Sequence, residues 1–485
     1  MSNSAANESN SQMKKARVAP EDRVPVGQKI AYGLGATNDV WGNWLYGSMI
    51  WPVYNIFLHV SPKLVGYVLM ITRLVDAVSD PLFGWLSDNT RSKWGRRRPY
   101  ILVGSILAGL TFPLLFFVGR DWSQMQYFVY MIVSSGIFIT IVSCFNMPYQ
   151  SLGSELTPDY NERTSVFSYR TIIQKIPEVG MFFAATFVAL HMFDDASGKP
   201  DMLTGARVYA ALAGLIIIIV GVIVFLFVKE RYYHKVVEQE QDRVSITESI
   251  WKSLRCRPFR AQIAMALAYG LGTSMVGSLG YYATVYYVCD GDVTVGGWWN
   301  FRMGLANMVF AIIGVKAFAA VANRLGKRTS MILVQVGAIA VFLSTWVLYN
   351  PEIRWLQMVA SGGIAFTAAG FWMLYGSMLA DVIDYDELET GKRREGAFNA
   401  CGSWMMKVGM ALGMGGSGIV LDATGFDASI EGPQSAAALI GIRIFLAAIP
   451  VVGLVIALIA LSRFGLNPEK MKEIRAQLEA RRGKV

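Results

Sequence analysis

Twelve apolar stretches constrain this chain more than any other feature. They lie at about residues 30–57, 64–87, 99–118, 125–150, 165–190 and 206–228, and again at 261–289, 297–322, 329–349, 355–380, 397–421 and 436–461. Each comes close to the roughly 20 apolar residues that span a hydrocarbon core about 30 Å thick, where a helix satisfies its own backbone groups. The pattern predicts an all-α membrane protein with twelve transmembrane helices. With 54% hydrophobic and 16% charged residues, the composition leaves no room for a soluble enzyme. Six stretches lie on either side of a charged interval. The expected organisation is therefore an N-terminal tail over 1–29, a six-helix bundle over 30–228, a linker over 229–260, a second six-helix bundle over 261–461 and a C-terminal tail over 462–485.

Charge placement sets the orientation. Of the 44 Lys and Arg residues, 32 fall in the two tails and in the loops on the same side as the tails, against Lys63, Arg120, Lys199 and Arg354 on the other. By the positive-inside rule both termini are expected in the cytoplasm, and the net charge of +9 needs no nucleic-acid partner. The polar first 29 residues lack the apolar core of a cleaved signal, so the first span is expected to direct insertion. The linker mixes both signs and is expected to lie in part as an amphipathic helix on the membrane surface. The turn Trp94-Gly95-Arg96-Arg97-Arg98-Pro99-Tyr100-Ile101-Leu102 aligns with Leu325-Gly326-Lys327-Arg328-Thr329-Ser330-Met331-Ile332-Leu333, 231 residues later. Both turns join the second and third spans of their halves. The halves thus read as parallel copies of one unit, facing each other across a central cavity as in a transporter.

Ionisable groups at membrane depth cost about 2.5–3.5 kcal/mol each on insertion scales, so they pair, face a cavity or bind something. Arg73, Asp76 and Asp80 follow one another at three- and four-residue spacing and share one helical face with Ser79. Two carboxylates one turn apart repel unless a cation lies between them, and hard oxygen ligands suit Na⁺ or a proton. Asp39, Arg170 and Lys407 stand among aromatic and glycine residues, a setting that suits sugar hydroxyls and pyranose rings. Arg302 and Arg443 lie near span ends and are expected to snorkel; the role of Lys316 is open. Cys144, Cys256, Cys289 and Cys401 form no CxxC pair, so no metal or redox cofactor is expected.

The stretch from Asp76 to Pro99, with Asp80-Pro81-Leu82-Phe83-Gly84-Trp85 and the basic turn, closely resembles the signature of the glycoside-pentoside-hexuronide:cation symporters of the major facilitator superfamily. Ala380-Asp381-Val382-Ile383-Asp384-Tyr385-Asp386-Glu387 through Glu395 resembles that family's loop between spans ten and eleven. The resemblance covers about residues 28 to 465. It implies that Asp76 and Asp80 bind the coupling cation, Na⁺ or H⁺, with Ser79 and Ser143 at positions where melibiose permease supplies an Asn and a Thr. Arg170, Trp372 and Lys407 match substrate positions, Ser403 lies one turn before Lys407, and Asp39 is one residue from the family's first-span acid. Asn146 and Gln150 stand where melibiose permease has an Asp and a Trp; fewer acids near Arg170 and Lys407 would admit a hexuronide or acidic oligosaccharide. Glu155, Asp381 and Asp384 are expected to pair with basic turns such as Arg91 and Arg96 as a cytoplasmic gate, acting as a network.

The expected function is symport of a sugar, glycoside or hexuronide with a cation, by alternating access, in a bacterial inner membrane. A monomer is expected, with the lipid bilayer as its surroundings. A lysolipid or amphiphile carrier of the same fold and a non-transporting sugar receptor are the alternatives. A membrane-embedded enzyme is disfavoured because the only histidines, His59, His191 and His234, lie at span ends or in loops.

Overall fold

The computed structural model describes residues 22–157, 160–196, 198, 200–230, 254–391, 395–427, 430, 432 and 434–482. The expected linker helix and His234 lie outside the described residues. Helices carry the described chain, and its only β pairing is an isolated bridge between Asp194 and Pro200. The first helix, α1, is built of five consecutive pieces, Val26–Leu34, Ala36–Val40, Trp41–Leu45, Tyr46–Ile50 and Trp51–Phe57. There follow α2 (Pro62–Asn89), α3 (Arg98–Thr111, continued by a turn at Pro113–Phe116), α4 (Gln124–Glu155), α5 (Tyr160–Val188) and α6 (Met202–Phe227). The second half contains α7 (Arg257–Ser274, Val276–Tyr282 and Ala283–Val288), α8 (Val293–Leu325), α9 (Lys327–Leu348), α10 (Leu356–Thr390), α11 (Glu395–Ala423) and α12 (Ala436–Ser462), followed by a polar helix α13 (Pro468–Arg482).

Among the described residues nine helices are long and apolar enough to cross a membrane. α1, α2 and α5 fall short of that measure. α2 and α5 carry buried ion pairs and α1 is rich in Asn, Gly and Trp, so the helices that hold polar groups are the less apolar ones. Helix starts follow local chemistry. Ser123 and Gln126 make a reciprocal capping box at α4, and the side chains of Asp201, Asp292 and Ser435 accept backbone N–H groups at the starts of α6, α8 and α12.

Packing repeats with an offset of six helices. α2 packs on α4, and α3 on α4 and α6; likewise α8 packs on α10, and α9 on α10 and α12. α1 packs on α5 as α7 packs on α11. The two sets meet where α2 runs along α11 and α5 along α8. These crossings need glycine: a Cβ on Gly418 would lie 2.2 Å from the Pro62 carbonyl, and one on Gly297 would lie 3.0 Å from Thr186 Cα. The repeat extends to backbone detail. α1 and α7 both end in π-helical turns, Trp51–Phe57 and Ala283–Val288, closed by matching bonds from Leu58 N to Val53 O and from Cys289 N to Thr284 O, both 3.0 Å. The basic-turn glycines Gly95 and Gly326 both have positive φ, at 100° and 80°.

The core shows where the molecule is closed. Its largest cluster draws on both sets, joining Trp51, Tyr54 and Val188 to Tyr282, Val285 and Phe426 at the end away from the termini. Two further clusters, around Phe259 and Met378 and around Tyr32 and Tyr149, each lie within one set toward the termini. Direct bonds between the sets follow the same rule. At the far end Lys63 pairs with Asp422 at 2.6 Å, Thr186 Oγ1 donates to Gly297 O at 2.7 Å, and Tyr282 donates to Asn55 Oδ1.

Candidate functional site

The face of α2 predicted from spacing is formed, and the structure adds a partner from the other set. Lys407, on α11, places Nζ 2.9 Å from Asp76 Oδ2 and bonds Asp80 Oδ2. Arg73 approaches Asp76 Oδ2 at 3.4 Å with Nη1, while its Nη2 donates to the Asn43 carbonyl and its guanidinium lies 4.4 Å from the Trp44 ring. Two carboxylates and two cations thus balance. Ser143, on α4, bonds Ser79 at 2.7 Å and reaches Asp76 Oδ1 at 3.5 Å. All four residues assigned from sequence to the cation, Asp76, Asp80, Ser79 and Ser143, are buried and adjacent. Asp80 Oδ1 is buried without a hydrogen-bond partner, leaving an acceptor for a proton or a cation.

Beside this cluster, Arg170 of α5 donates to Asp39 Oδ2 of α1 at 2.6 Å, and its guanidinium lies 5.6 Å from the Tyr149 ring. Tyr149 is held by stacking on Tyr32 at 4.8 Å and on Phe145 at 5.1 Å, so an aromatic wall backs the ion pair. Asn146, one turn before Gln150, is 3% exposed with its Oδ1 unpartnered. Gln150, Trp372 and Ser403 are exposed and make no hydrogen bond to the ion-paired cluster; Trp372 packs edge-on against Phe371 at 5.1 Å. Lys407, grouped with the substrate residues on sequence grounds, lies on the acid pair instead of beside Arg170.

Toward the termini Glu155 and Asp381 each hold a basic partner of their own set. Glu155 accepts from Arg96 and takes a two-pronged grip from Arg97, at 2.6 and 3.0 Å. Asp381 binds Lys327 at 2.8 Å, and Lys327 is the repeat counterpart of Arg96. Arg91 is exposed and has no ion-pair partner among the described residues, while Asp384 has a polar partner of its own. The sequence reading missed Glu230, whose carboxylate accepts the backbone N–H groups of Arg96, Arg97 and Arg98 at 3.0, 2.8 and 3.0 Å, capping the start of α3. It also missed Asn43. Arg443 lies 4.1 Å from the rings of both Tyr287 and Trp346, and Arg302 lies 4.7 Å from Trp299, so both are seated on aromatic residues. Lys316 is exposed on α8.

Two ion-paired groups thus lie at mid-height, and one of them joins the two sets. Known proteins agree with a transporter. The chain is 27% identical to the isoprimeverose transporter of Lactiplantibacillus pentosus, over 92% of this chain and 90% of that one. It is 24% identical to the glucuronide carrier protein homolog of Escherichia coli, over 93% and 95%. Its fold is similar to that of the inward-open xylose transporter XylE from E. coli, with TM-score 0.64 at 12% identity, covering 93% of this chain and 98% of that one. The family model described as MFS/sugar transport protein matches residues 32–468. With that match spanning most of its length, the chain is an integral membrane protein that belongs to the MFS/sugar transport protein family.

Proposed function

We propose that the protein is a cation-coupled symporter that carries a sugar or glycoside inward by alternating access. In this reading α1, α2 and α5 also cross the bilayer, giving twelve transmembrane helices in two six-helix bundles over 30–228 and 261–461, with both termini cytoplasmic in a bacterial inner membrane. The repeated packing of α1–α6 and α7–α12 supports the two-bundle reading. The observation that carries the function is the Lys407 ammonium of one set lying on the Asp76–Asp80 pair of the other. An arriving Na⁺ or proton competes with that ammonium for the same oxygens, so cation occupancy and the contact between the sets are linked. The bonds that join the sets at mid-height and at the far end, Lys407 to Asp76 and Asp80, Lys63 to Asp422, Thr186 to Gly297 and Tyr282 to Asn55, support an inward-facing state. On that reading Glu155 and Asp381 hold their own basic turns while the cytoplasmic gate is open.

Charge balance bears on the substrate. Arg73 and Lys407 are matched by Asp76 and Asp80, and Arg170 by Asp39, so a neutral glycoside enters without stranding a charge. A uronide would have to displace Asp39 from Arg170. Asn146 and Gln150, with both donor and acceptor capacity, suit sugar hydroxyls. Isoprimeverose and raffinose, named in two relatives, are thus better probes than a glucuronide, named in a third. Counterflow in proteoliposomes with labelled isoprimeverose, raffinose and 4-nitrophenyl β-D-glucuronide, each with and without Na⁺ and at two pH values, tests the proposal. Cation-stimulated exchange of a neutral sugar supports it, and cation-independent exchange of every sugar contradicts it.

A further inference from the structure

The two ion-paired groups are not separate. A continuous line of polar contacts runs from Lys407 to Asp76, Arg73, Asn43, Asp39 and Arg170, and Asn43 is its one uncharged member. Asn43 faces both ways. Its carbonyl accepts from Arg73 Nη2 and its Oδ1 lies 3.5 Å from Arg73 Nη1, while its Nδ2 donates to Asp39 Oδ1 at 3.2 Å and to Asp39 O at 2.9 Å. The backbone at this point is a π-helical turn, Trp41–Leu45, set between α-helical pieces. A widened turn interrupts the regular helical ladder and commonly marks a functional position. Here it brings the Asn43 carbonyl to the guanidinium of α2.

We propose that Asn43 is the positioning residue that couples the cation site to the sugar site, an inference that rests on the symport reading above. Arg73 divides its donors between Asp76 and Asn43. When a cation neutralises Asp76, the pull of that carboxylate on Arg73 weakens and the guanidinium turns more fully to Asn43. The Asn43 amide is then fixed with its Nδ2 on Asp39, and Asp39 presents Arg170 in one orientation to the sugar. Linkage makes the effect mutual, so sugar ordering Arg170 and Asp39 tightens cation binding by the same factor. The stacking of Arg73 on Trp44 holds the guanidinium in place and does not depend on the Asn43 side chain.

Calorimetric titration of purified protein separates coupling from structure. The probes are isoprimeverose, raffinose and 4-nitrophenyl β-D-glucuronide, each with and without Na⁺ and at two pH values, and the tightest binder is carried forward. Coupling factors between sites commonly lie at about 5–150-fold. In Asn43→Ala the cation-induced gain in sugar affinity should fall at least about five-fold, with affinity in the absence of cation changed less than about two-fold. Asn43→Asp, which keeps both oxygens for Arg73 but sets a carboxylate against Asp39, should lose the same gain and guards against a folding defect in the first variant. Wild-type coupling in both variants, or equal weakening with and without cation, overturns the role of Asn43. A wild-type protein whose sugar binding ignores both Na⁺ and pH overturns the symport reading itself and, with it, any coupling role.

Discussion

His59 and Asp290, 231 residues apart, share one backbone conformation, with φ of 54° in each. They are the non-glycine residues with positive φ among those described, and each follows the π-helical end of the first helix of its half. The ends of α1 and α7 that lie away from the termini are thus matched pieces. Between them Trp51 meets Tyr282 edge-on at 5.9 Å, and these two residues are also 231 positions apart. Corresponding positions of the two halves thus meet in one contact.

The packing of α2 on α11 at this end should yield to a single added side chain. Gly418→Val puts a branched side chain where even a Cβ would meet the Pro62 carbonyl, and backbone cannot give way cheaply. Spin labels at Lys63→Cys and Asp422→Cys, whose native side chains pair at 2.6 Å, should move apart in this variant. An unchanged distance distribution would show that the close approach of α2 and α11 does not hold this end together.

Lys407 is expected to hold the acid pair together as well as to serve transport. Lys407→Ala leaves two buried carboxylates facing each other beside one Arg, and stranding a buried charge costs about 3–5 kcal/mol. Thermal unfolding in detergent should show the loss. Adding Asp80→Asn to the same chain should recover part of it, because the like-charge repulsion is then gone. Equal stability of Lys407→Ala and wild type would place the ammonium outside the cluster.

Much of this was legible in the sequence. Arg73, Asp76 and Asp80 share a face because three- and four-residue spacing on a helix fixes directions locally, and the basic turns announced the repeat through Gly95 and Gly326. What escaped depends on packing between distant helices. No local period says that Lys407 will meet Asp80 across 327 positions. Asn43 is one polar residue in an aromatic stretch, and the π-turn that sets its carbonyl against Arg73 is not revealed by periodicity. Glu230 lay in an interval read as a linker, and only the fold brings it to the start of α3. Glu155, Asp381 and Asp384 were read as partners of basic turns such as Arg91 and Arg96; Glu155 does meet Arg96, whereas Asp381 meets Lys327, the counterpart of Arg96 in the second turn.

Glu230 should act on stability and not on recognition. Glu230→Gln removes the negative charge from three backbone N–H groups at a helix start, and losing such a cap costs about 0.5–2 kcal/mol. The melting temperature should fall while the KM for uptake stays unchanged. A raised KM with normal melting would assign Glu230 to transport.

Arg170 is expected to contact substrate through its planar shape. Arg170→Lys keeps the charge but cannot both pair with Asp39 and lie over the Tyr149 ring, so sugar affinity should drop by about 1–3 kcal/mol, the range for a lost charged hydrogen bond. Equilibrium binding of isoprimeverose and raffinose checks this. Affinity equal to wild type for whichever of the two binds would reduce the Asp39–Arg170 pair to a structural tie.

In the symport proposed above, the acid pair on α2 harnesses a cation gradient. The direct measurement compares uphill accumulation with counterflow for Asp76→Asn and Asp80→Asn in proteoliposomes, using the sugar the wild type exchanges fastest and an imposed Na⁺ or pH gradient. Each variant should lose accumulation against a concentration gradient while the inserted protein retains measurable counterflow, because the sugar pathway survives when the driving ion has no site. Accumulation at the wild-type level in both variants would show that Asp76 and Asp80 do not bind the driving cation.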